Sequence, residues 1–562
     1  MFPGTDVRCF LQNREERMSA ANSRTAGWGL WEIALISALA LAFRLLHVEE
    51  ARHIDSYFHI MAAASWLTDG TLSIGGEVPY ERAYLFTYLV AAFQGLFGGT
   101  TFVAGLPAIL AGAAWVTALF IWVRSVAGRT AAWVAGLLFC FDLGSLAIAH
   151  MVRFYTLHGL AFFIGAIGLY YLVTRRPSPG AAVATGLVVI GAFGLAYHLQ
   201  VTTVIGAIAL LVWLVIEISP RVFRHLHEHP AAALALIVPV FAVVGIAGFF
   251  LLQSDTVAAY WGRFQWAPSY AQSGVDHLTY YILRMESASL LLWAMFPLAA
   301  LIATARYGRP AIFSIVLFAV PFLLHSLAAQ KADRFLSYAM PFFFVIWGFA
   351  VAALLPQLKA LAREAVLNVA RIRLSDRVVR VATWSLLAIV FAALVVTSRS
   401  IWRDSYKFIA HNERPSGVNP SQWDRAVSRL QPLIDSADVV VTTGGAALFY
   451  YVGRVHVLAA QYYSHSPEFS DSLHLGVPTI SVPASLDLLI RCNESGLAVI
   501  QGDFWGRHWG FTEEMIEVLQ ASAQPIELPE EWRIRAYTWS HGADFREEAG
   551  CPVLEARRAP RL

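Results

Sequence analysis

Eleven apolar runs divide the first 397 residues, and they constrain the fold more than any other feature. They fall at about 28–48, 102–123, 130–150, 154–174, 179–197, 201–218, 230–252, 287–305, 310–329, 338–356 and 381–397. A bilayer core about 30 Å thick takes roughly 20 helical residues to cross. Backbone in lipid must satisfy its own hydrogen bonds, so such runs fold as helices. Composition agrees: 57% of residues are hydrophobic and 14% charged, against about 25% charged in soluble domains. The expected fold is an α-helical polytopic membrane protein with about eleven spans. One further apolar segment, Ala83–Gly98, is only 16 residues long. That is short for a crossing and predicts a re-entrant or interfacial helix.

The basic connectors set the sidedness. With a cytoplasmic N-terminus, Arg124–Arg129, Arg175–Arg176, Arg221–His229, Arg306–Arg309 and 359–380 all fall inside. If Ala83–Gly98 crossed, every one of them would move outside, against the positive-inside rule. The reading is therefore a cytoplasmic tail 1–27, a membrane domain 28–397 with an outer loop 49–101, and an outward-facing segment 398–562. The first run stands behind Arg8, Arg14, Arg17 and Arg24, and no small-residue cleavage site follows it. It reads as a retained anchor. A net charge of +2 lacks the concentrated basic surface of a nucleic-acid binder.

The outer loop carries the clearest chemistry. Asp55 follows the first span and is flanked by His53 and His59. If Asp55 starts a helix, Asp55 and His59 share a face four residues apart. Tyr57, Phe58, Ile60, Met61 and Trp66 are then expected in the membrane interface. Polar groups near membrane depth are costly unless they pair or line a cavity. Here His150, Arg153, His158, His198, Lys331 and Arg334 all gather on the outer side and are expected to meet Asp55. Lys331 and Arg334, three residues apart, suit an anion, and Asp333 between them is expected to neutralise only one.

From 398 onward the pattern changes. Asp438–Thr443, Val455–Ala459, Thr479–Val482, Leu497–Gln501 and Arg533–Trp539 read as strands. Helical stretches to Val452, over Ser485–Cys492 and over Thr512–Ala521 alternate with them. The expectation is an extracytoplasmic α/β domain, a small sandwich, that packs, caps or recognises an acceptor. The TTGG turn at Thr442–Gly445 lacks the lysine and spacing of a phosphate loop. Cys492 and Cys551 fall in this segment, and sequence alone leaves their pairing open.

Several of these stretches together resemble the GT-C glycosyltransferases over roughly the first 340 residues. HIDSYFHIMAAASWLTDG is similar to the acidic-motif helix of protein O-mannosyltransferases, aminoarabinose transferases and oligosaccharyltransferase catalytic subunits. RFYTLHGLAFF, from Arg153, resembles their arginine–aromatic motif. QKADRFLSYAMPFFF resembles their basic–aromatic–proline motif before a late span. The resemblance implies sugar transfer from a polyprenyl-phosphate donor on the outer face of a bacterial cytoplasmic membrane. It implies Asp55 as the base, with His53, His59, Tyr80, Arg82, Arg153, Tyr155, His158, Lys331, Arg334 and Tyr338 about the substrates.

There are departures. Ser56 stands where mannosyltransferases often carry a second adjacent acid, and His158 where relatives carry an aspartate. No WWDYG-type peptide motif occurs. A divalent cation, Mg or Mn, is left open, since such a site wants several carboxylates.

The residue chemistry leads the same way. A phosphate leaving group needs cations rather than an acid, and an acceptor hydroxyl needs a base. One displacement inverts the anomeric centre; retention would need a second carboxylate. The acceptor, whether glycan, lipid or protein, is not legible. An oligosaccharyltransferase-like enzyme, a secondary transporter of a lipid-linked or polar substrate and a non-catalytic scaffold are the other readings.

Overall fold

The computed structural model describes residues 29–48, 53–75, 78–175, 177–228, 262, 278–370, 375–397, 403, 406–410, 422–443, 445–459, 468–472, 475–506, 510–541 and 550–562. The run 230–252, the tail 1–27, Arg371, Arg373 and most of the loop 253–286 lie outside the described residues.

Helix α1 (Leu30–Leu45) leads into the outer loop, which holds α2 (Ser56–Asp69) and α3 (Tyr84–Phe97). Next come α4 (Thr101–Ala127), α5 (Arg129–Cys140), α6 (Leu143–Ala149), α7 (Tyr155–Arg175), α8 (Pro179–Leu199) and α9 (Thr203–Glu228). The bundle continues with α10 (Tyr280–Ala294), α11 (Phe296–Tyr307), α12 (Arg309–Leu327), the single turn α13 (Asp333–Leu336), α14 (Met340–Ala370) and α15 (Asp376–Thr397). Among the described residues five helices are long and apolar enough to cross a membrane, or seven if each bent pair is one span. Eleven spans are thus not reached within them. At 14 residues, α3 is about 21 Å long, short of a bilayer core.

Two expected spans are broken, each for a local reason. The run 130–150 bends by 58° between α5 and α6. Asp142 stands at the break and its carboxylate accepts the Ser145 N–H at 2.7 Å, capping a new helix. The second pair, α10 and α11, bends by 48°, and α11 restarts with Pro297 in its first turn. Between α4 and α5, Gly128 adopts φ +87°, a conformation open to glycine that lets the chain reverse tightly.

Both ends of the bundle are marked by charge. Near the start of α1, Glu32 is buried, and Arg124 and Arg129 from the α4–α5 connector both pair with it. Arg309 meets Glu217 at 3.1 Å. These basic connectors therefore share the end of the bundle where α1 begins. The Asp55 loop, where α1 leads out, lies at the other end. Aromatic packing fills the space between, with Trp213, Phe313, Tyr170 and Trp122 in mutual ring contact.

Beyond 422 the chain forms α16 (Trp423–Ser436), β1 (Val439–Thr443), α17 (Ala446–Val452), β2 (Arg454–Val455), β3 (Val457–Ala459) and β4 (Thr479–Ile480). Then follow α18 (Pro483–Arg491), β5 (Ser495–Gln501), α19 (Glu513–Ser522), β6 (Gln524–Ile526), β7 (Ile534–Ser540) and β8 (Arg557–Arg558). The expected α/β sandwich is built on one six-stranded sheet, ordered β4-β3-β1-β5-β7-β6, beside the small β2–β8 ribbon. The first four strands are parallel, β7 runs antiparallel to β5, and β6 pairs antiparallel with β7. A disulfide joins Cys492 to Cys551, with Cα atoms 5.6 Å apart.

Both faces of the sheet are covered. Val439 and Val441 pack with Leu486, Met515 and Trp539 on one side. On the other, Val440 joins Leu448, Phe449 and Trp423, and this core continues into Tyr57, Ile60 and Met61 of α2. Those three were expected in the membrane interface. They are buried in protein instead, because the sheet domain covers that face of the loop. Trp66, at 39% exposure, stays accessible.

Candidate active site

Asp55 occupies the N-cap position of α2, but its side chain makes no capping bond. Its carboxylate is left for other groups, and 30% of the side chain reaches solvent. Arg153 donates to the Asp55 carbonyl at 3.1 Å and places its other terminal nitrogen 3.9 Å from the carboxylate. His53 Nδ1 lies 3.9 Å from the same oxygen and accepts the Asp55 backbone N–H at 3.2 Å. Burial alone would raise the Asp55 carboxyl. Arg153, with His53, Arg334 and Arg82, outweighs that and holds it well below the usual carboxylate range. The group is ionised at neutral pH.

Arg153 itself is fixed from several sides. It donates to the Tyr80 hydroxyl at 3.2 Å and lies 5.4 and 5.9 Å from the Phe154 and Tyr155 rings. Arg82 stacks on Phe154 at 5.5 Å. Tyr80 continues the chain to His59 Nε2 at 3.3 Å, and His59 Nδ1 meets the Thr87 hydroxyl at 2.9 Å. Burial, then the Arg153 and Arg82 charges, push the His59 imidazole well below its ordinary value. His59 is therefore neutral and completely buried. It sits on the side of α2 that faces Tyr80 and is linked to Asp55 through Tyr80 and Arg153.

The remaining residues form a second group. Lys331 is nearly buried and donates to the Ala328 carbonyl at 2.7 Å, closing the end of α12. Asp333 is held by Arg284 at 2.7 Å and by the Tyr280 hydroxyl at 3.1 Å. It was expected to neutralise Lys331 or Arg334, and instead serves a cation from α10. The electrostatic reach of Arg334 to Asp55 links this group to the first. Tyr338 and His325 approach to 3.4 Å, Tyr338 packs on the His158 ring at 5.4 Å, and His158 bonds Thr203 at 3.0 Å. His158, Tyr338 and His325 thus form a buried knot with no hydrogen bond to Asp55 among the described residues. His150 turns away to the Arg44 carbonyl, and His198 to the Leu85 N–H.

Sequence reasoning missed three residues of this site. Ser56 accepts the Val152 N–H at 3.1 Å, tying α2 to the Arg153 turn. Thr87 and Arg284 act through tertiary contacts that carry no local signal.

The donor set also bears on a metal. One carboxylate among guanidinium groups does not fit a divalent cation, which wants several oxygen ligands. Among the described residues no group of three or more His, Cys, Asp or Glu side chains is placed to hold one.

A helical membrane bundle that presents an acidic loop beneath an α/β domain has the fold of the GT-C glycosyltransferases. Solved structures of that class superimpose on the chain. One is ArnT from Cupriavidus metallidurans bound to undecaprenyl phosphate, with TM-score 0.58 and 14% identity over 92% of this chain and 99% of that one. Another is the oligosaccharyltransferase AglB from Archaeoglobus fulgidus in complex with an inhibitory peptide and a dolichol-phosphate. Its TM-score is 0.55, with 12% identity over 93% of this chain and 75% of that one. At these identities the likeness is one of fold. No protein-family model and no curated protein sequence matches the chain.

Proposed function

We propose that the protein is an integral membrane glycosyltransferase that moves a sugar from a polyprenyl-phosphate donor to an acceptor hydroxyl. The observation that carries this is the Asp55 carboxylate, ionised and part-exposed, among Arg153, Arg82 and Arg334 where the bundle meets the sheet domain. Asp55 takes the proton of the acceptor hydroxyl as its oxygen attacks the anomeric carbon. The bond from that carbon to the phosphate oxygen breaks, and the polyprenyl phosphate leaves as an anion stabilised by the guanidinium groups. One displacement inverts the anomeric centre, and among the described residues Asp55 is the carboxylate that Arg153 and His53 meet. The polyprenyl and dolichyl phosphates bound in ArnT and AglB support the donor class.

The reading includes sidedness. The site and residues 398–562 face outward, in a bacterial cytoplasmic membrane, with eleven spans once α1, α9, α15 and the run 230–252 are added to the seven described above. The basic connectors at the opposite end of the bundle support this. So does the Cys492–Cys551 bridge, a bond at home in an oxidising compartment.

The test uses purified full-length protein and a panel of undecaprenyl-phosphate sugars with membrane extracts as acceptor. Release of undecaprenyl phosphate that depends on an acceptor and is lost in Asp55→Asn is expected. Equal release by wild type and Asp55→Asn removes Asp55 from the chemistry.

A further inference from the structure

The outer loop and the segment 558–561 line an open cleft of about 500 Å³ at the C-terminal end of α2, the end away from Asp55. That volume is typical of a small-molecule site. One wall is the C-terminal end of α2 and the turn after it, and offers Thr68, Asp69, Thr71 and Ser73. The other is β8 and its continuation, offering Arg558 and Arg561. We infer that this cavity is a binding site for an anionic saccharide, recognised through its hydroxyls by the α2 wall and its carboxylate by Arg558.

Both walls are built and held. The Ser65 hydroxyl bridges to Ser73 at 2.7 Å and to Thr71 at 3.4 Å, so the two hydroxyls keep fixed positions. Each retains further donor or acceptor capacity toward a ligand. Tyr80 N–H donates to Leu72 and Ile74 N–H to Val78, closing the turn on itself. Across the cavity, β8 pairs with β2, and Ala559 N–H donates to Gly453. Arg561 donates to the Tyr450 and Tyr451 carbonyls. Gly75 lets the walls meet: at φ +116° a Cβ there would lie 3.1 Å from the Arg558 carbonyl and the Phe449 ring.

The charges favour a polyhydroxylated anion over a neutral sugar. Asp69 and Arg558 are both exposed, and among the described residues neither makes an ion pair. They line one cavity without closing on each other. Arg561 is satisfied by carbonyls, so its positive charge is not cancelled by a carboxylate. Among the described lining residues two guanidinium groups stand against one carboxylate, a cationic balance. A guanidinium fork matches a uronate carboxylate, while Asp69 and the hydroxyls suit vicinal sugar hydroxyls. The site's place on the acceptor side rests on the glycosyltransferase reading; the binding does not.

Calorimetric titration of the full-length protein in detergent tests binding without any transfer step. Trigalacturonate serves as the charged probe, maltotriose as the neutral one, and inorganic phosphate as the anion without hydroxyls. Trigalacturonate is expected to bind at least about ten-fold more tightly than maltotriose. Arg558→Ala, an exposed change that leaves the β8 backbone bonds intact, is expected to weaken trigalacturonate by about ten-fold or more. Thr71→Val is expected to weaken both saccharides. No heat from trigalacturonate at millimolar concentration, unchanged affinity in both variants, or equal displacement by inorganic phosphate would overturn the inference. None of these results depends on whether Asp55 is the base.

Discussion

Arg153 grips Asp55 by its backbone carbonyl at 3.1 Å, and its second terminal nitrogen stands 3.9 Å from the carboxylate. The stronger contact fixes the position of Asp55 and the looser one tunes its charge. Both Arg153 and His53 approach the same carboxylate oxygen, which turns the other toward an incoming hydroxyl in the proposed reaction.

Removing that guanidinium should therefore change the pH profile. In wild type Asp55 is ionised far below neutrality, so no acid limb from this group is expected between pH 5 and 8. With Arg153→Met the opposing charge is lost while burial, which raises the carboxyl, remains. An acid limb in turnover should then enter the measured range, with activity falling as pH drops. A profile that only scales down, with its shape unchanged, would mean Arg153 does not set the ionisation of Asp55.

Asp55→Asn should retain folding, because the side chain makes no capping bond. Transfer should fall by at least about 100-fold, the scale of a lost general base. Donor binding, measured by equilibrium retention of a labelled polyprenyl phosphate, should be preserved. Near wild-type turnover would place the base elsewhere.

The two cations before α14 now separate into different experiments. Lys331 donates to the Ala328 carbonyl, so Lys331→Met should lower thermal stability by the loss of a charged hydrogen bond, about 1.5–3 kcal/mol. Arg334 acts toward Asp55 and the space around it. Arg334→Ala should raise the donor Michaelis constant by about ten- to a hundred-fold and leave the melting midpoint nearly unchanged. The reverse pattern, a stability loss only at Arg334, would exchange the two roles.

How far the sequence led depends on the range of the forces involved. Apolar runs, arginine placement and the Asp55, Arg153 and Arg82 cluster were legible, since hydropathy and motif spacing are local properties of the chain. The break at Asp142 was not, because a capping carboxylate inside an apolar run looks like one polar residue in a span. Tyr57 was misplaced for a related reason. An aromatic next to a membrane reads as interfacial, and only the fold shows its hydroxyl on Tyr451, 3.1 Å away. Asp333 gave the same lesson. Its sequence neighbours Lys331 and Arg334 looked like natural partners, yet Arg284, 49 residues earlier, took it.

The sheet domain should carry its own pH dependence, through His456. This imidazole is buried between β2 and β3 and accepts the Val440 N–H at 3.0 Å through Nδ1. Burial first, then the Arg454 charge, bring its pKa from 6.5 down to about 4. The folded domain holds this ring neutral, while the unfolded chain protonates it below 6.5. Stability from this group is thus fully present above pH 6.5 and is lost as pH falls toward 4. A shift of this size corresponds to on the order of 3 kcal/mol. Thermal unfolding of the full-length protein, followed by the fluorescence of the sheet's tryptophans, should show a falling midpoint across that window. His456→Asn keeps an acceptor for Val440 but has no proton to gain. It should start less stable and lose distinctly less between pH 6.5 and 4. If both proteins fall in parallel, the acid sensitivity belongs to another group.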